Sequence, residues 1–261
     1  MVHLAVIGHP IAHSLSPTLH ASALRASAKP GSYAAYDVKP AGLQPAILGL
    51  GALGFIGVNV TIPHKEAALA FCDHVDPEAA AIGAVNTLKF TERGVEGYNT
   101  DGRGFLASLG DWSPAGANVL LLGAGGAARA VAFALRNAGA SRIGIVNRTP
   151  ARAQALMAEL GVDGDVQPEE ADLLVNCTSV GMAPNADASP FTDWGRLRRS
   201  CLVYDLVYRP ADTAFLQGAR SRGLTATGGL AMLAHQAALA WQIWFGEPAP
   251  IDAFLEAAAR A

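Results

Sequence analysis

The sequence predicts an α/β protein in two parts, each a sheet flanked by helices, and three observations carry that reading. Strand-like and helix-like runs alternate along the chain, the arrangement of βαβ units and a parallel sheet. The pattern restarts in mid-chain at the all-apolar run 119–122, after a connection over 111–118 that contains Trp112, Pro114 and Gly116. Length agrees, since 261 residues divided by the roughly 150 of a typical domain gives roughly 1.7. With 51% hydrophobic and 16% charged residues the chain can bury a sizeable core, which excludes a disordered or fibrous protein.

The elements follow in order. Residues 2–7 form a short β-rich run, and Ser16-Pro17 opens a helix to about residue 28, with Ser16 at the cap and Pro17 at its first position. Strands are expected over 33–38, 54–60 and 84–90, with a helix starting near Pro63 between the last two. A polar turn over 91–94 leads into a strand over 95–98 and closes the first block. In the second block strands are expected over 119–122, 142–147, 173–176, 201–207 and 224–226, separated by helical stretches of which 127–137, ending at Gly139, is the clearest. A long helix over 230–245 and another over 252–260 complete the chain.

Charge and cysteine usage narrow the function. A net charge of −3 supplies no field for a polyanion, and no basic patch compensates, so neither nucleic acid nor an anionic membrane is an expected partner. Cys72, Cys177 and Cys201 are an odd number without CxxC spacing, which fits buried thiols in a reducing compartment better than a disulfide frame or a zinc site; no metal is expected. The first eight residues lack a basic segment and read as a strand rather than a signal peptide. The apolar stretch 230–245 is interrupted by His235, Gln236 and Gln242 and falls short of the roughly 20 residues a membrane span needs. A cytoplasmic enzyme or binding protein for a small molecule is expected, with monomer and homodimer both open.

The motif Gly123-Ala124-Gly125-Gly126-Ala127-Ala128 directly follows the strand at 119–122 and opens the helix at 127. Gly123, Gly125 and Ala128 match G-x-G-x-x-G/A: the first Gly makes a tight turn, the second lets backbone approach a pyrophosphate, and the small third residue packs helix on strand. This predicts a Rossmann-like, doubly wound dinucleotide-binding domain, with phosphates at a helix N-terminus. The next strand ends in Asn147-Arg148-Thr149, where an NAD enzyme would place an acidic residue for the ribose 2′-hydroxyl. Arg148 and Arg152 instead offer two cations, and Thr149 a hydroxyl, to a 2′-phosphate, so the cofactor expected is NADP.

A nicotinamide enzyme that reduces a ketone needs a side chain to deliver a proton to oxygen while the cofactor supplies hydride. The histidines, His3, His9, His13, His20, His64, His74 and His235, are spread about without a paired carboxylate. Asn59-Val60-Thr61-Ile62-Pro63-His64-Lys65 runs off a strand and presents Thr61 and Lys65 at a sheet's carboxyl edge, and Asp101 follows the strand ending at Tyr98. Lys65 and Asp101 can converge there as an acid/base pair, the carboxylate orienting the ammonium, or as a structural salt bridge. Ser14 and Ser16 precede a helix, where they can donate to an anionic ligand, Ser16 also serving as N-cap. Asn86 and Tyr208 stand at strand edges, and Gln236 lies opposite the apolar stripe of its helix, so a polar partner is expected for it.

Taken together the chain resembles the shikimate dehydrogenase family. The matching pieces are Ser14-Leu15-Ser16-Pro17, the Asn59 to Lys65 run, Gly83-Ala84-Val85-Asn86-Thr87, Asn99-Thr100-Asp101-Gly102, the glycine motif at 123–127, Asn147-Arg148-Thr149, Asn176-Cys177-Thr178-Ser179-Val180-Gly181-Met182, Asp205-Leu206-Val207-Tyr208-Arg209-Pro210, and Gly228-Gly229-Leu230-Ala231-Met232-Leu233 with Gln236. They span almost the whole chain in the family's order. The resemblance implies NADP-dependent interconversion of 3-dehydroshikimate and shikimate, a step towards chorismate and the aromatic amino acids. It implies Lys65 as acid/base and Asp101 as its partner and a substrate ligand, with Ser14, Ser16, Thr61, Asn86, Tyr208 and Gln236 holding the substrate's carboxylate and hydroxyls. Gly123, Ala124, Gly125, Gly126 and Ala127 would take the pyrophosphate, Asn147, Arg148, Thr149 and Arg152 the adenosine phosphate, and Thr178, Val207 and Gly229 the nicotinamide side. It further implies a substrate domain over 1–102 completed by helices at about 235–261, a cofactor domain over 103–234, and a cleft between them.

Departures are few. After Asp76 this chain has Pro77 where some relatives carry an acidic residue near the cofactor, so that contact is not expected, and the loop 183–194 is not diagnostic. An NAD-dependent quinate/shikimate dehydrogenase would carry an acidic residue in place of Arg148. A non-catalytic sensor of shikimate or cofactor would not need Lys65 and Asp101.

Overall fold

The computed structural model describes residues 1–162 and 164–260. The chain divides into two compact units, Met1–Ser108 together with the chain from Leu233 onward, and Leu109–Met232. The first contains β1 (Val2–Gly8), α1 (Ser16–Ala26), β2 (Gly31–Asp37), α2 (Leu43–Ala52), β3 (Gly57–Val60), β4 (His74–Val75), α3 (Pro77–Ile82), β5 (Thr87–Thr91), β6 (Gly94–Tyr98) and α4 (Asp101–Ser108). The second contains β7 (Asn118–Leu122), α5 (Gly126–Asn137), β8 (Arg142–Val146), α6 (Pro150–Leu160), β9 (Leu173–Asn176), β10 (Leu202–Asp205), α7 (Ala214–Ser221) and β11 (Thr225–Gly228). After α8 (Leu230–Phe245), α9 (Ile251–Ala259) closes the first unit.

The first sheet has six strands in the order β2-β1-β3-β5-β6-β4. It is mixed rather than parallel as expected: β1 runs parallel to β2 and β3, but β5 is antiparallel to β3 and β6. The reason is local. Only Glu92 and Arg93 separate β5 from β6, a connection that can join antiparallel strands but not parallel ones.

Strand periodicity sorts the core onto two faces. Along β1, Ala5 and Ile7 join a cluster with Leu43, Ile47 and Leu50 of α2, while Leu4 and Val6 join Tyr33, Ala240 and Trp244 on the other face. Trp244 packs so closely that a Cβ on Gly57 would lie within 2.1 Å of its Nε1, which donates to the Leu88 carbonyl at 2.9 Å. In the second unit all five strands are parallel, in the order β11-β10-β9-β7-β8, over a core including Leu120, Leu174, Val203 and Phe215.

Other expectations change. No α-helix starts at Pro63; a turn leads to a short 3-10 helix, Ala67–Phe71. The Lys65 carbonyl accepts from the Val85 N–H at 2.8 Å, while the Leu69 N–H turns to Glu66 at 3.3 Å, so the hydrogen bond an α-helix would make between residues 65 and 69 is absent. The N-cap of α1 is Leu15 and not Ser16, whose N–H instead donates to Ser14 Oγ at 3.3 Å. The helices α2, α3 and α4 and the two-residue β4 are additions to the expected elements. All three cysteines are free, but only Cys201 is buried as expected, Cys72 and Cys177 being half-buried; burial pushes the Cys72 thiol up to about 11 and that of Cys201 to about 12. No helix among the described residues is long and apolar enough to cross a membrane.

His20 lies wholly buried in an aromatic cluster, stacked on Tyr33 at 4.3 Å with Trp244 and Phe254 alongside. Burial lowers its pKa from 6.5 to about 3, with Asn59 opposing in part. The unfolded chain therefore takes up a proton below pH 6.5 that the folded chain refuses, and stability is lost as pH falls from 6.5 towards 3. Denaturant unfolding at pH 7 and pH 5 should show a stability loss for the wild type that exceeds that of His20→Phe by about 2 kcal/mol. Equal losses would remove His20 as the cause.

Candidate active site

Four segments of the first unit leave the sheet at one edge. Ile7 of β1 is level with Val60 of β3, the Val60 N–H donates to the Asn86 carbonyl at 2.8 Å, and the Asn86 N–H donates to that of Tyr98 at 2.9 Å. Because β5 runs against its neighbours, Asn86 at its start stands level with the carboxyl ends of β3 and β6. Ser14 and Ser16 follow β1, Thr61 and Lys65 follow β3, and Asp101 follows β6, all from the edge at which open α/β sheets bind ligands. A Cβ on Gly8 would stand 2.5 Å from Thr61 Cγ2 and 3.0 Å from Ile11, so the loop carrying Ser14 runs beside Thr61.

Lys65 and Asp101 meet at this edge. Lys65 Nζ donates to Asp101 Oδ2 at 2.5 Å, with the two side chains only 15% and 6% exposed. The other carboxylate oxygen, Oδ1, accepts from Asn86 Nδ2 at 2.8 Å, and the Asp101 N–H donates to Asn99 Oδ1 at 3.0 Å. Asn86 is itself fixed, donating to Thr100 Oγ1 and accepting from the Thr100 N–H, each at 2.9 Å. A lysine with one proton aimed at a rigid carboxylate and the rest of its ammonium partly exposed can give a proton to a substrate oxygen and recover one.

Gln236 comes alongside through α8. A Cβ on Gly104, three residues after Asp101, would lie 2.8 Å from the Gln236 Cβ, and the buried amide donates to the Leu233 carbonyl at 2.8 Å. One histidine does have a carboxylate partner, contrary to expectation: His9 Nδ1 lies 2.5 Å from Asp37 Oδ1. Parallel pairing brings Gly8 opposite Asp37 and so delivers His9 to it. That pair is 38% and 53% exposed.

In the second unit the strand order reverses between β7 and β9, the switch point at which such sheets bind ligands. Gly123, the first residue past β7, has φ +110°, and a Cβ there would stand 2.9 Å from Thr178 Cγ2 past β9. Gly125 caps α5 in extended backbone, and a Cβ on it would meet nothing within 4 Å. Ala128 is fully buried, while Ala124, Gly126 and Ala127 form the turn and first residues of α5, whose opening N–H groups lack helical partners. Past β8, Arg148, Thr149 and Arg152 are exposed around the start of α6, and Asn147 Nδ2 donates to the Thr149 carbonyl at 3.0 Å. Neither arginine forms an ion pair among the described residues. Val207 and Tyr208 follow β10, and Gly229 follows β11, where a Cβ would lie 2.4 Å from the Leu206 carbonyl oxygen. Tyr208 thus belongs to this unit and not to the one holding the Lys65 cluster.

Comparison with known proteins agrees with both halves. The family models described as shikimate dehydrogenase substrate-binding domain, shikimate/quinate 5-dehydrogenase and shikimate 5′-dehydrogenase C-terminal domain match residues 6–88, 108–179 and 229–259. A shikimate dehydrogenase (NADP(+)) of Symbiobacterium thermophilum is 47% identical over 275 residues, covering 99% of this chain and 94% of that protein. The chain belongs to the shikimate dehydrogenase family. A second curated shikimate dehydrogenase (NADP(+)), from Moorella thermoacetica, is 48% identical across 95% of this chain and 89% of its own length. Among solved structures, a shikimate 5-dehydrogenase of Thermus thermophilus in complex with NADP(H) and shikimate has a TM-score of 0.91 at 47% identity, covering 100% of this chain and 99% of that one.

Sequence reasoning missed how Asp101 is held by Asn86 and Asn99, and missed a buried couple in the second unit. There Asn176 Nδ2 donates to Asp205 Oδ1 at 2.8 Å, although polar residues closing the apolar strands 173–176 and 202–205 were a visible signal. The two motif glycines should part in a thermal unfolding experiment. Gly123→Ala is expected to cost about 1–3 kcal/mol through its positive φ and the Thr178 contact, whereas Gly125→Ala should leave stability within about 0.5 kcal/mol.

Proposed function

We propose that this chain catalyses the reversible NADP-dependent reduction of 3-dehydroshikimate to shikimate, on the pathway to chorismate and the aromatic amino acids, with Lys65 as the acid/base. The observation that carries the reading is the sheltered 2.5 Å contact between Lys65 and Asp101 at the carboxyl edge of the first sheet. NADPH supplies the hydride that the ketone carbon accepts. In that direction Lys65 Nζ gives its proton to the ketone oxygen, and in the reverse direction it takes the proton of the alcohol. Asp101, fixed through Asn86 and Asn99, keeps Nζ aimed and offers a carboxylate to a neighbouring substrate hydroxyl.

The remaining assignments follow the family's pattern. Ser14 and Ser16 hold the substrate carboxylate beside the start of α1, and Thr61, Asn86, Gln236 and Tyr208 hold its hydroxyls. Gly123, Ala124, Gly125, Gly126 and Ala127 cradle the pyrophosphate at the start of α5, where N–H groups and the helix dipole favour negative charge. Asn147, Arg148, Thr149 and Arg152 take the adenosine 2′-phosphate: cations at the start of α6 oppose its dipole, and a bound phosphate compensates for that. Thr178, Val207 and Gly229 line the nicotinamide side. The enzyme works in the cytoplasm, which matches its three free thiols.

Initial rates with shikimate and quinate, each crossed with NADP and NAD, test the reading: shikimate with NADP should be the fastest pair, and no reduced cofactor with either acid would overturn it. Lys65→Ala should lower kcat by about 100-fold or more while shikimate affinity changes little. A near-normal kcat would exclude Lys65 from the chemistry. Arg148→Ala should raise the KM for NADP about tenfold and leave that for NAD nearly unchanged.

A further inference from the structure

At the carboxyl edge of the second sheet, Asp205 ends β10 directly opposite Asn176, which ends β9. Both are fully buried. Asp205 Oδ1 accepts from Asn176 Nδ2 at 2.8 Å and from the Val207 N–H at 2.9 Å, and Oδ2 accepts from Thr213 Oγ1 at 2.6 Å. Asn176 passes the order outward. Its Oδ1 accepts from the Thr178 N–H at 2.9 Å and from Thr178 Oγ1 at 2.7 Å, and its Nδ2 also reaches the Val180 carbonyl at 3.2 Å. The Val180 N–H in turn donates to Thr178 Oγ1 at 3.1 Å.

A carboxylate in such a place is costly, and burial pushes its pKa up to about 6 despite three donors. Of its three partners, the Val207 amide lies in a segment leaving the sheet, Asn176 in turn holds residues 178–180 of another, and Thr213 caps α7. Thr178 also abuts Gly123 of the glycine turn. We propose that Asp205 is a positioning residue for the nicotinamide end of NADP, acting through Asn176 and the Val207 amide on the segments that carry Thr178 and Val207. The inference rests on the assignment of Thr178 and Val207 to the nicotinamide side.

Thr213 separates this role from a plain structural one, because its hydroxyl both donates to Asp205 and accepts from the Leu216 N–H at 3.3 Å as the cap of α7. Thr213→Val removes that anchor and leaves the Asn176 and Val207 ties in place. It should lower thermal stability without changing the KM for NADP by more than about twofold. Asp205→Ala removes all three ties. It should raise the KM for NADP about tenfold and lower kcat, while the dissociation constant of adenosine 2′,5′-bisphosphate, which lacks the nicotinamide half, stays within about twofold of wild type. Asp205→Asn keeps an oxygen facing Asn176 and Val207 and should restore the KM to within about threefold.

Equal loss of affinity for NADP and for the bisphosphate would overturn the proposal, because the whole unit would then have been disturbed. Should Asp205→Ala not fold, Asn176→Ser decides: it breaks the tie from Asp205 to Thr178 one step further along, and a wild-type KM for NADP there would also overturn the proposal. Thr178→Ala distinguishes the two levels of inference. If it raises the KM for NADP while the Asp205 and Asn176 variants do not, the positioning role falls and the nicotinamide-side assignment stands. If Thr178→Ala and the Asp205 and Asn176 variants all leave the KM for NADP and kcat at wild type, the assignment of that segment to the nicotinamide side falls as well.

Discussion

The first unit depends on keeping one carboxylate, Asp101, nearly dry and yet satisfied. A charge taken out of water costs several kcal/mol unless partners replace its hydration. Here Lys65 takes one oxygen and Asn86 the other, and Asn99 holds the backbone of the same residue. Those partners come from three places in the chain, after β3, before β5 and after β6, and only a mixed sheet brings the start of one strand level with the ends of two others. The antiparallel run of β5 therefore shapes the Asp101 cluster as much as it shapes the sheet. It delivers an amide to the back of the carboxylate whose front holds the lysine.

What was legible in the sequence was local. The glycine motif could be read because a tight turn, an open approach and a small packing residue lie within six consecutive positions, and each has its expected setting at Gly123, Gly125 and Ala128. That Arg148 and Arg152 lie together is legible for a similar reason, one helical turn holding both. The pairing of Lys65 with Asp101 was inferred from two strand ends and not from any local signal, since 36 residues separate them. Proline suits the first turn of a helix, so the sequence reads as a helix start at Pro63, whereas a carbonyl two residues on is claimed by a distant amide, that of Val85. The sequence places Asn86 at a strand edge but carries no sign of its partners. Its contacts are set by sheet register, which a period-two pattern does not reveal.

The two units share a device despite different topologies. Each places an asparagine beside an aspartate at the carboxyl edge, Asn86 with Asp101 and Asn176 with Asp205. In each the amide supplies a donor to the acid and keeps an oxygen for the backbone N–H of a neighbouring loop, at Thr100 in one case and Thr178 in the other. The acid is thereby held by groups of the chain itself. The difference lies in what else each acid faces: a lysine for Asp101, and the neutral hydroxyl of Thr213 for Asp205.

The first unit is assembled from both ends of the chain, with Trp244 of α8 in the core beside Leu4 and Val6 of β1. During synthesis the residues of β1 leave the ribosome more than two hundred positions ahead of the tryptophan that covers them. The second unit, continuous in sequence, has all its strands available before α8 has been made. Nascent chains should therefore protect the second sheet first and hold one face of the opening strands exposed until α8 has emerged, an interval in which a chaperone has apolar surface to grip.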